Sequence, residues 1–255
     1  MDLRAFALHP DRDRDARARA RDALDHCGIE GDLWPLVDGA TLSSQDLEGT
    51  VGARLFDPAY PLSLSTGEIA HFLTHRQIWA EPQRSGLDAA LILDGPGPIT
   101  PEAFDDALDL ALTHLPALGL IELRTVPAPG PAVLIDTLGA ATLTIPQQAE
   151  GRAPALLITH KAAGHLLALS DRIDRPVETF LHSHWHTGLR CASVCPSGIG
   201  DGSGAGHIAP PTGAWPRLRY DLAQRKYLPV AKQRRALVRR ADRLAPALPT
   251  SCESH

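Results

Sequence analysis

Short apolar runs alternate with longer segments of helical periodicity along most of the chain, and this alternation constrains the fold more than any other feature. Strand-like runs occupy residues 5–8, 33–37, 89–93, 118–123, 132–135, 155–158 and 189–194. Helix-like stretches occupy residues 13–26, 66–80, 101–115, 161–169 and 216–244. Strands separated by helices are typical of a largely parallel sheet with helices on its faces. The sequence therefore predicts an α/β fold.

Local signals fix some helix boundaries. Ser65 stands three residues before Glu68, which is the spacing of a capping box and predicts a helix that begins at residue 66. Gly28 follows the first helical stretch and is expected to end it. Pro229 should kink or divide the last helical stretch.

The charge distribution divides the chain into two parts. The net charge is −5, yet residues 217–243 contain ten Arg or Lys against two Asp. We expect a main domain at 1–210 and a basic helical arm and tail at 211–255. The arm would either bind an anionic membrane surface or pack on its own domain. Nucleic acid is not an expected partner, because the arm has few aromatic side chains on which bases could stack.

Cysteine usage and hydropathy predict the compartment. The four cysteines contain no C-x-x-C pair, no secretory signal begins the chain, and no apolar run reaches the roughly 18 residues that a membrane span needs. We therefore expect free thiols and a cytoplasmic protein, or one that is peripheral on the inner face of the membrane. The cysteines are Cys27, Cys191, Cys195 and Cys252.

Two groups of histidines suggest metal binding. Glu68, His71 and His75 lie three and four residues apart, so one helix face could present all three to zinc or iron, as in a metal-dependent hydrolase. In the other interpretation Glu68 caps the helix and the histidines are surface or hydrogen-bonded residues. A second group, His182, His184 and His186, would share one face of a strand. An exposed strand edge or a loop explains this second group equally well.

Five segments in a fixed order carry a resemblance to a known family over roughly residues 4–200. They are Ala7-Leu8 with Arg14 six residues after Leu8, Val37-Asp38-Gly39, a helix at 67–79 with Glu68, His71, His75 and Trp79, the run 156–159 leading to Ala162-Ala163, and the segment 176–181 with Glu178. Their order and spacing resemble glycosyltransferase family 25, and no single motif among them is decisive.

The resemblance implies a nucleotide-binding sheet of the GT-A type covered by helices. It also implies inverting transfer of a hexose, most often galactose, from a UDP-sugar to lipopolysaccharide or another cell-surface glycan, with a divalent ion, usually manganese, at the diphosphate. Asp94 and Glu178 would then be catalytic, and Asp94 and His71 would bind the metal. The donor-binding residues would be Leu8, Arg14, Asp38, Gly39, Glu68 and His75.

The acidic motif of that family is reduced in this chain. The family has a Leu-Glu-Asp-Asp string after its third strand, whereas this sequence has Leu93-Asp94-Gly95-Pro96. Two interpretations follow. In the first, Asp94, Glu178 and one of the two helix histidines still hold donor and metal, with a carboxylate as the base. In the second, the fold is kept as a pseudo-glycosyltransferase that binds or scaffolds without efficient transfer.

Overall fold

The structure is a computed structural model that describes residues 1–147 and 152–200 together with Gly202 and Tyr227. The predicted basic arm at 217–243, apart from Tyr227, and the predicted domain boundary at residue 210 lie outside the described residues.

Eight strands and seven helices make up the described part of the chain. The strands are β1 (Leu3–His9), β2 (Gly31–Pro35), β3 (Ala89–Asp94), β4 (Leu120–Leu123), β5 (Ala132–Leu138), β6 (Ala141–Pro146), β7 (Ala155–Thr159) and β8 (Ala192–Cys195). The helices are α1 (Arg14–His26), α2 (Ser44–Thr50), α3 (Thr66–Ser85), α4 (Pro101–Leu118), α5 (His160–Leu169), α6 (Val177–Leu181) and α7 (His184–Thr187). The predicted α/β class with a helix-covered sheet is confirmed.

The strands form one sheet in the order β2-β1-β3-β7-β4-β8-β6-β5. The pairs β1–β2, β1–β3 and β4–β8 are parallel, whereas β3–β7, β4–β7, β5–β6 and β6–β8 are antiparallel. The prediction of a largely parallel sheet is therefore wrong. The sequence interpretation missed β6, and the tight β5–β6 hairpin reverses the chain direction so that β7 enters the sheet antiparallel to β3.

Two apolar cores lie on the two faces of the sheet. One core packs α1 and α4 against the sheet through residues such as Ala20, Phe104 and Leu115. The other packs α3, α5 and α6 through residues such as Trp79, Ala163 and Phe180. Because β3 is buried on both faces, its six residues read as a continuous apolar run that ends in Asp94.

Helix α3 begins where the sequence predicted. Ser65 Oγ accepts a hydrogen bond from the Glu68 backbone N–H, and the Glu68 carboxylate accepts one from the Ser65 N–H. The helix continues to Ser85, five residues beyond the predicted end at residue 80, and stops at Gly86, whose φ of 72° suits glycine. Its buried side includes Ile69, Phe72, Ile78 and Trp79.

A buried arginine forms hydrogen bonds with the segment between α2 and α3. Arg175 is fully buried, pairs with Asp174 at 2.8 Å, and donates hydrogen bonds to the carbonyls of Phe56 at 3.1 Å and Pro58 at 3.0 Å. Its Nη1 also donates to the hydroxyl of Tyr227 at 3.3 Å. These contacts hold the loop close to α6 and α7.

Candidate functional site

Asp94 ends the central strand β3 on the sheet face that α3 covers. In the parallel pairing of β1 and β3, Leu8 lies opposite Asp94. On the side of β3 that faces β7, the Asp94 N–H donates to the carbonyl of Pro154 at 2.8 Å. The carboxylate is buried, with 7% of the residue exposed. A charge in such a position needs partners, because burial without them would be strongly unfavourable.

Two histidines of α3 meet this carboxylate. His71 Nε2 donates to Asp94 Oδ2 at 2.9 Å, and His75 Nε2 lies 3.6 Å from the same oxygen. The two rings are perpendicular, with centroids 4.9 Å apart. Residues four apart on a helix lie on the same face, so one turn of α3 delivers both imidazoles to Asp94.

Arg152 and Glu178 complete the site. Arg152 Nε donates to Asp94 Oδ2 at 3.0 Å, and its Nη2 donates to the Asp94 carbonyl at 2.7 Å and pairs with Oδ1. Glu178 comes from the first turn of α6 and places Oε1 3.7 Å from His71 Nδ1. With 31% of its side chain exposed, Glu178 is more accessible than either histidine or Asp94.

Burial and charge act against each other in setting the pKa values of the site. Burial alone would raise the pKa of Asp94, but His71, the hydrogen bonds and Arg152 hold that pKa well below its usual range. Burial would lower the pKa of His71, but the charge and hydrogen bond of Asp94 raise it. Burial prevails at His75 and lowers its pKa. At neutral pH the site therefore holds an ionised Asp94 beside a neutral His75.

The structure thus brings four of the predicted site residues together: His71, His75, Asp94 and Glu178. Leu8 adds a buried apolar side chain on the neighbouring strand.

Other predicted site residues lie elsewhere. Arg14 is exposed in the first turn of α1, which covers the opposite face of the sheet. The Glu68 carboxylate accepts hydrogen bonds from the backbone N–H and the hydroxyl of Ser65, at 2.7 and 2.8 Å. This matches the interpretation of Glu68 as a helix cap and separates it from the histidines.

Asp38 and Gly39 have local structural roles. Asp38 Oδ1 accepts a hydrogen bond from the Ala40 N–H at 2.9 Å and caps the short 3-10 turn Gly39–Thr41. Gly39 lies against the start of α3, where an added Cβ would be 2.8 Å from the Thr66 carbonyl oxygen. Only glycine allows so close an approach.

The sequence interpretation missed Arg152. This residue precedes β7 and follows no motif, and its partner Asp94 is 58 residues away in the chain. Its position follows from the antiparallel pairing of β7 with β3, which places the start of one strand beside the end of the other.

A second buried polar cluster lies on the same sheet face. Glu122 of β4 accepts hydrogen bonds from His182 Nε2 at 2.7 Å and from Arg124 Nη1 at 2.8 Å, and the Cys191 thiol is near enough to complete a potential ligand set. Burial, together with Glu122, raises the pKa of Cys191 well above its ordinary value.

His182, His184 and His186 do not lie in a strand, so the interpretation in which they share one strand face is not met. His182 is the C-terminal cap of α6, and the other two histidines lie in the short helix α7. Their alternation resembled a strand, but α6 begins after Pro176 and Gly188 ends α7 with a φ of 69°. His182 alone of the three joins the potential ligand set around Glu122.

The fold and the site together define a helix-covered α/β protein with a buried carboxylate–imidazole site at the end of a central strand. No model of a known protein family matches the chain. A segment of 95 residues, 36% of the chain, is 34% identical to a glycosyltransferase 25 family member of Drosophila melanogaster. The match spans 15% of the length of that relative. It supports a glycosyltransferase-like relationship in general terms.

Among solved structures, mannose-1-phosphate geranyltransferase from Thermus thermophilus is similar at 14% identity, over 76% of this chain and 74% of that one, with a TM-score of 0.35. This similarity is too low to bear on fold or function. Within the described residues, none of the helices combines the length and the apolarity needed to cross a bilayer.

Proposed function

We propose that the protein is a glycosyltransferase that moves a hexose from a UDP-sugar to a glycan acceptor. Galactose is the favoured sugar, and lipopolysaccharide or another cell-surface glycan is the favoured acceptor. The observation that carries the proposal is the sequence similarity to a glycosyltransferase 25 family member. The grouping of Asp94, His71, Glu178 and Arg152 at the end of β3 supports it, because this is where the resemblance expects the donor diphosphate.

In this proposal Arg152 stabilises the leaving group. The UDP that departs from the sugar develops negative charge, and fixed cationic donors lower the energy of that state. Arg152 has 20% of its side chain exposed, and its Nε and Nη2 contact Asp94. A planar guanidinium suits phosphate oxygens because it can donate two hydrogen bonds at once.

Glu178 is the better candidate for the base that accepts the proton of the acceptor hydroxyl. The pKa of Asp94 is held far below its usual range and its carboxylate is already paired with Arg152 and His71, so it is a weak base. Glu178 is more exposed and pairs only loosely with His71, at 3.7 Å. Asp94 then acts by positioning Arg152 and His71.

Manganese does not fit the donor set well. Mn²⁺ prefers carboxylate, carbonyl and water oxygens, whereas the buried group here offers one carboxylate and two imidazoles. The Asp94 oxygens are also shared with Arg152. We therefore assign no step of the transfer to manganese.

Two alternatives stay distinct from transfer. A pseudo-glycosyltransferase would bind the donor weakly without turnover, and the reduced acidic motif at Asp94 is the observation in its favour. A metal-dependent hydrolase that uses Glu68 is not favoured, because the Glu68 carboxylate is occupied by Ser65 at the start of α3. Binding of the 217–243 arm to an anionic membrane surface remains a proposal about residues outside the described part of the chain.

Calorimetric titration of the full-length protein with UDP, UDP-galactose and UDP-glucose, with and without Mn²⁺, tests the proposal. Donor binding together with UDP release in the presence of a glycan acceptor supports it. Glu178→Gln should keep donor binding and lose roughly 10²–10⁴-fold in turnover. Glu102→Gln, an exposed glutamate on α4, is the matched control and should change neither.

Donor binding without turnover in the wild-type protein would favour the pseudo-glycosyltransferase. Absence of nucleotide binding under all of these conditions would refute the proposed function and the pseudoenzyme alternative alike.

A further inference from the structure

We propose that His71, His75 and Asp94 form a binding site for an imidazole-preferring transition metal, with zinc the favoured ion. Glu178 would be the outer partner that orients His71. We assign this ion no step in sugar transfer, and the metal site stands on the geometry of the three donors.

The donors already lie close enough to share one ion. Their ligand atoms are within 4.8 Å of one another, and all three residues are buried. Two histidines four residues apart on one helix are a recurrent way to hold zinc, because both rings project from the same face. A carboxylate from a neighbouring strand supplies the third ligand of a common zinc set.

The environment of His75 points independently to a missing ligand. The residue is 4% exposed, and within the described part of the chain neither of its ring nitrogens has a hydrogen-bond partner. A buried polar group without a partner is unfavourable, so such groups are rare in folded proteins. Nε2 points towards Asp94 but stops 3.6 Å from Oδ2, which is too far for a hydrogen bond. An ion between them would satisfy this nitrogen.

The second contact of His71 also fits a metal ligand. Metal-bound imidazoles usually donate their other N–H to a carboxylate, which fixes the ring and its tautomer. His71 Nδ1 lies 3.7 Å from Glu178 Oε1, which is an ion-pair distance and not yet a hydrogen bond, so the Glu178 side chain would move closer when His71 binds the ion. On binding, His71 Nε2 would coordinate the ion in place of its present hydrogen bond to Asp94, and its proton would move to Nδ1, or to solvent where Nδ1 already carries one.

The mixed donor set predicts which metals bind. Imidazole suits zinc, copper and iron, whereas manganese and magnesium prefer oxygen ligands. Arg152 opposes any cation here, yet it contacts Asp94 through the carbonyl and Oδ1 as well as Oδ2 and can keep the first two contacts.

The cluster of Glu122, His182 and Cys191 is a weaker candidate. Its donors also lie within 4.8 Å of one another. However, the two Glu122 oxygens are already paired, one with His182 and one with Arg124. Its histidine therefore lacks the unsatisfied nitrogens that distinguish His75.

The test is metal titration of the full-length protein after removal of metals with a chelator. Co²⁺ added to the protein should produce the visible absorption bands of an imidazole-ligated ion at one equivalent per chain. Zn²⁺ should displace Co²⁺ stoichiometrically, and Mn²⁺ should fail to do so.

Variants locate the site. His75→Ala should abolish the Co²⁺ bands, and circular dichroism would verify that this buried substitution leaves the protein folded. Glu178→Gln, at a partly exposed position, should weaken zinc binding about 10–100-fold. His114→Gln is the matched control, because His114 also pairs with an aspartate, Asp136 at 2.8 Å, but belongs to no group of three ligands in the described residues.

The inference is overturned if the wild-type protein binds neither Co²⁺ nor Zn²⁺, if Mn²⁺ competes equally, or if Glu178→Gln leaves zinc affinity unchanged. Nucleotide titration of the chelator-treated protein separates failure of the metal-site proposal from failure of the proposed function. Zinc binding without UDP binding would refute the proposed transferase function and support the metal site. UDP binding without zinc binding would refute the metal site and leave the proposed function standing.

Discussion

Replacing Arg152 by methionine tests how the buried Asp94 carboxylate is stabilised. The change removes a guanidinium that donates to Asp94 Oδ2 at 3.0 Å and to the Asp94 carbonyl at 2.7 Å. A hydrogen bond to a charged group contributes about 1.5–3 kcal/mol. His71 remains as a partner and Arg152 is 20% exposed, so we expect a loss of about 2 kcal/mol, towards the low end of that range.

Thermal unfolding followed by circular dichroism measures this loss. For a chain of this size, each kcal/mol shifts Tm by roughly 2–4 °C, so Arg152→Met should lower Tm by about 4–8 °C. Arg76→Met is the matched control, because the Arg76 side chain is 22% exposed but pairs with Asp171, which is 83% exposed. A pair of this kind contributes about 0–1 kcal/mol, so the control should shift Tm much less.

The same variant tests the role of Arg152 in donor binding. Loss of charge-assisted hydrogen bonds to phosphate should weaken UDP binding roughly 10–100-fold, and Arg76→Met should leave UDP binding unchanged. Equal Tm shifts in the two variants would refute the assignment of Arg152 as a stabilising partner of the buried Asp94 carboxylate. Unchanged UDP affinity in Arg152→Met would refute its proposed contact with the diphosphate.

Three further predictions follow from other contacts. Glu68→Ala should remove the half of the capping box that accepts from the Ser65 N–H and lower stability by about 0.5–1 kcal/mol, while zinc and UDP affinities, measured by titration, stay unchanged; loss of zinc binding would support a hydrolase-type site instead. Burial of Glu122 would raise its pKa, but His182 and Arg124 outweigh burial and lower it in the folded protein. The ionised Glu122 therefore stabilises the fold above its unfolded pKa of about 4.3, and this stabilisation is lost as the pH falls through the lower pKa of the folded state. Denaturant unfolding at several pH values should therefore show a steeper loss below about pH 4.3 for the wild type than for Glu122→Gln, and parallel curves would contradict this. Arg175→Leu should cost about 3–5 kcal/mol in denaturant unfolding, because it leaves Asp174 buried without its cation; a loss below about 1 kcal/mol would show that the segment fastened by Arg175 does not depend on this pair.

The sequence predicted the parts of the fold that local signals determine. The buried runs that became β1, β3 and β7 were continuous and apolar, and the capping box of Ser65 and Glu68 marked the start of α3. Strand direction was not predictable in the same way. It depends on the β5–β6 hairpin, and β6 is a six-residue strand that the sequence interpretation did not recognise.

The candidate site was predictable to a similar extent. Helical spacing showed that His71 and His75 share a face, and the resemblance pointed to Asp94 and Glu178. Neither the spacing nor the resemblance could show that Arg152 pairs with Asp94, because that contact requires β7 to lie antiparallel beside β3. Nor could spacing show that the Glu68 carboxylate turns back to Ser65 and leaves Asp94 to face the two histidines.

Hydrogen exchange of the wild-type protein, with and without UDP-galactose, tests most directly whether the end of β3 is the donor site. We expect slower exchange on donor binding in the segments that contain His71 and His75, Asp94, and Arg152. Protection confined to α1 and β2, on the other side of β1, would contradict it, as would a complete absence of protection at donor concentrations that saturate a calorimetric titration.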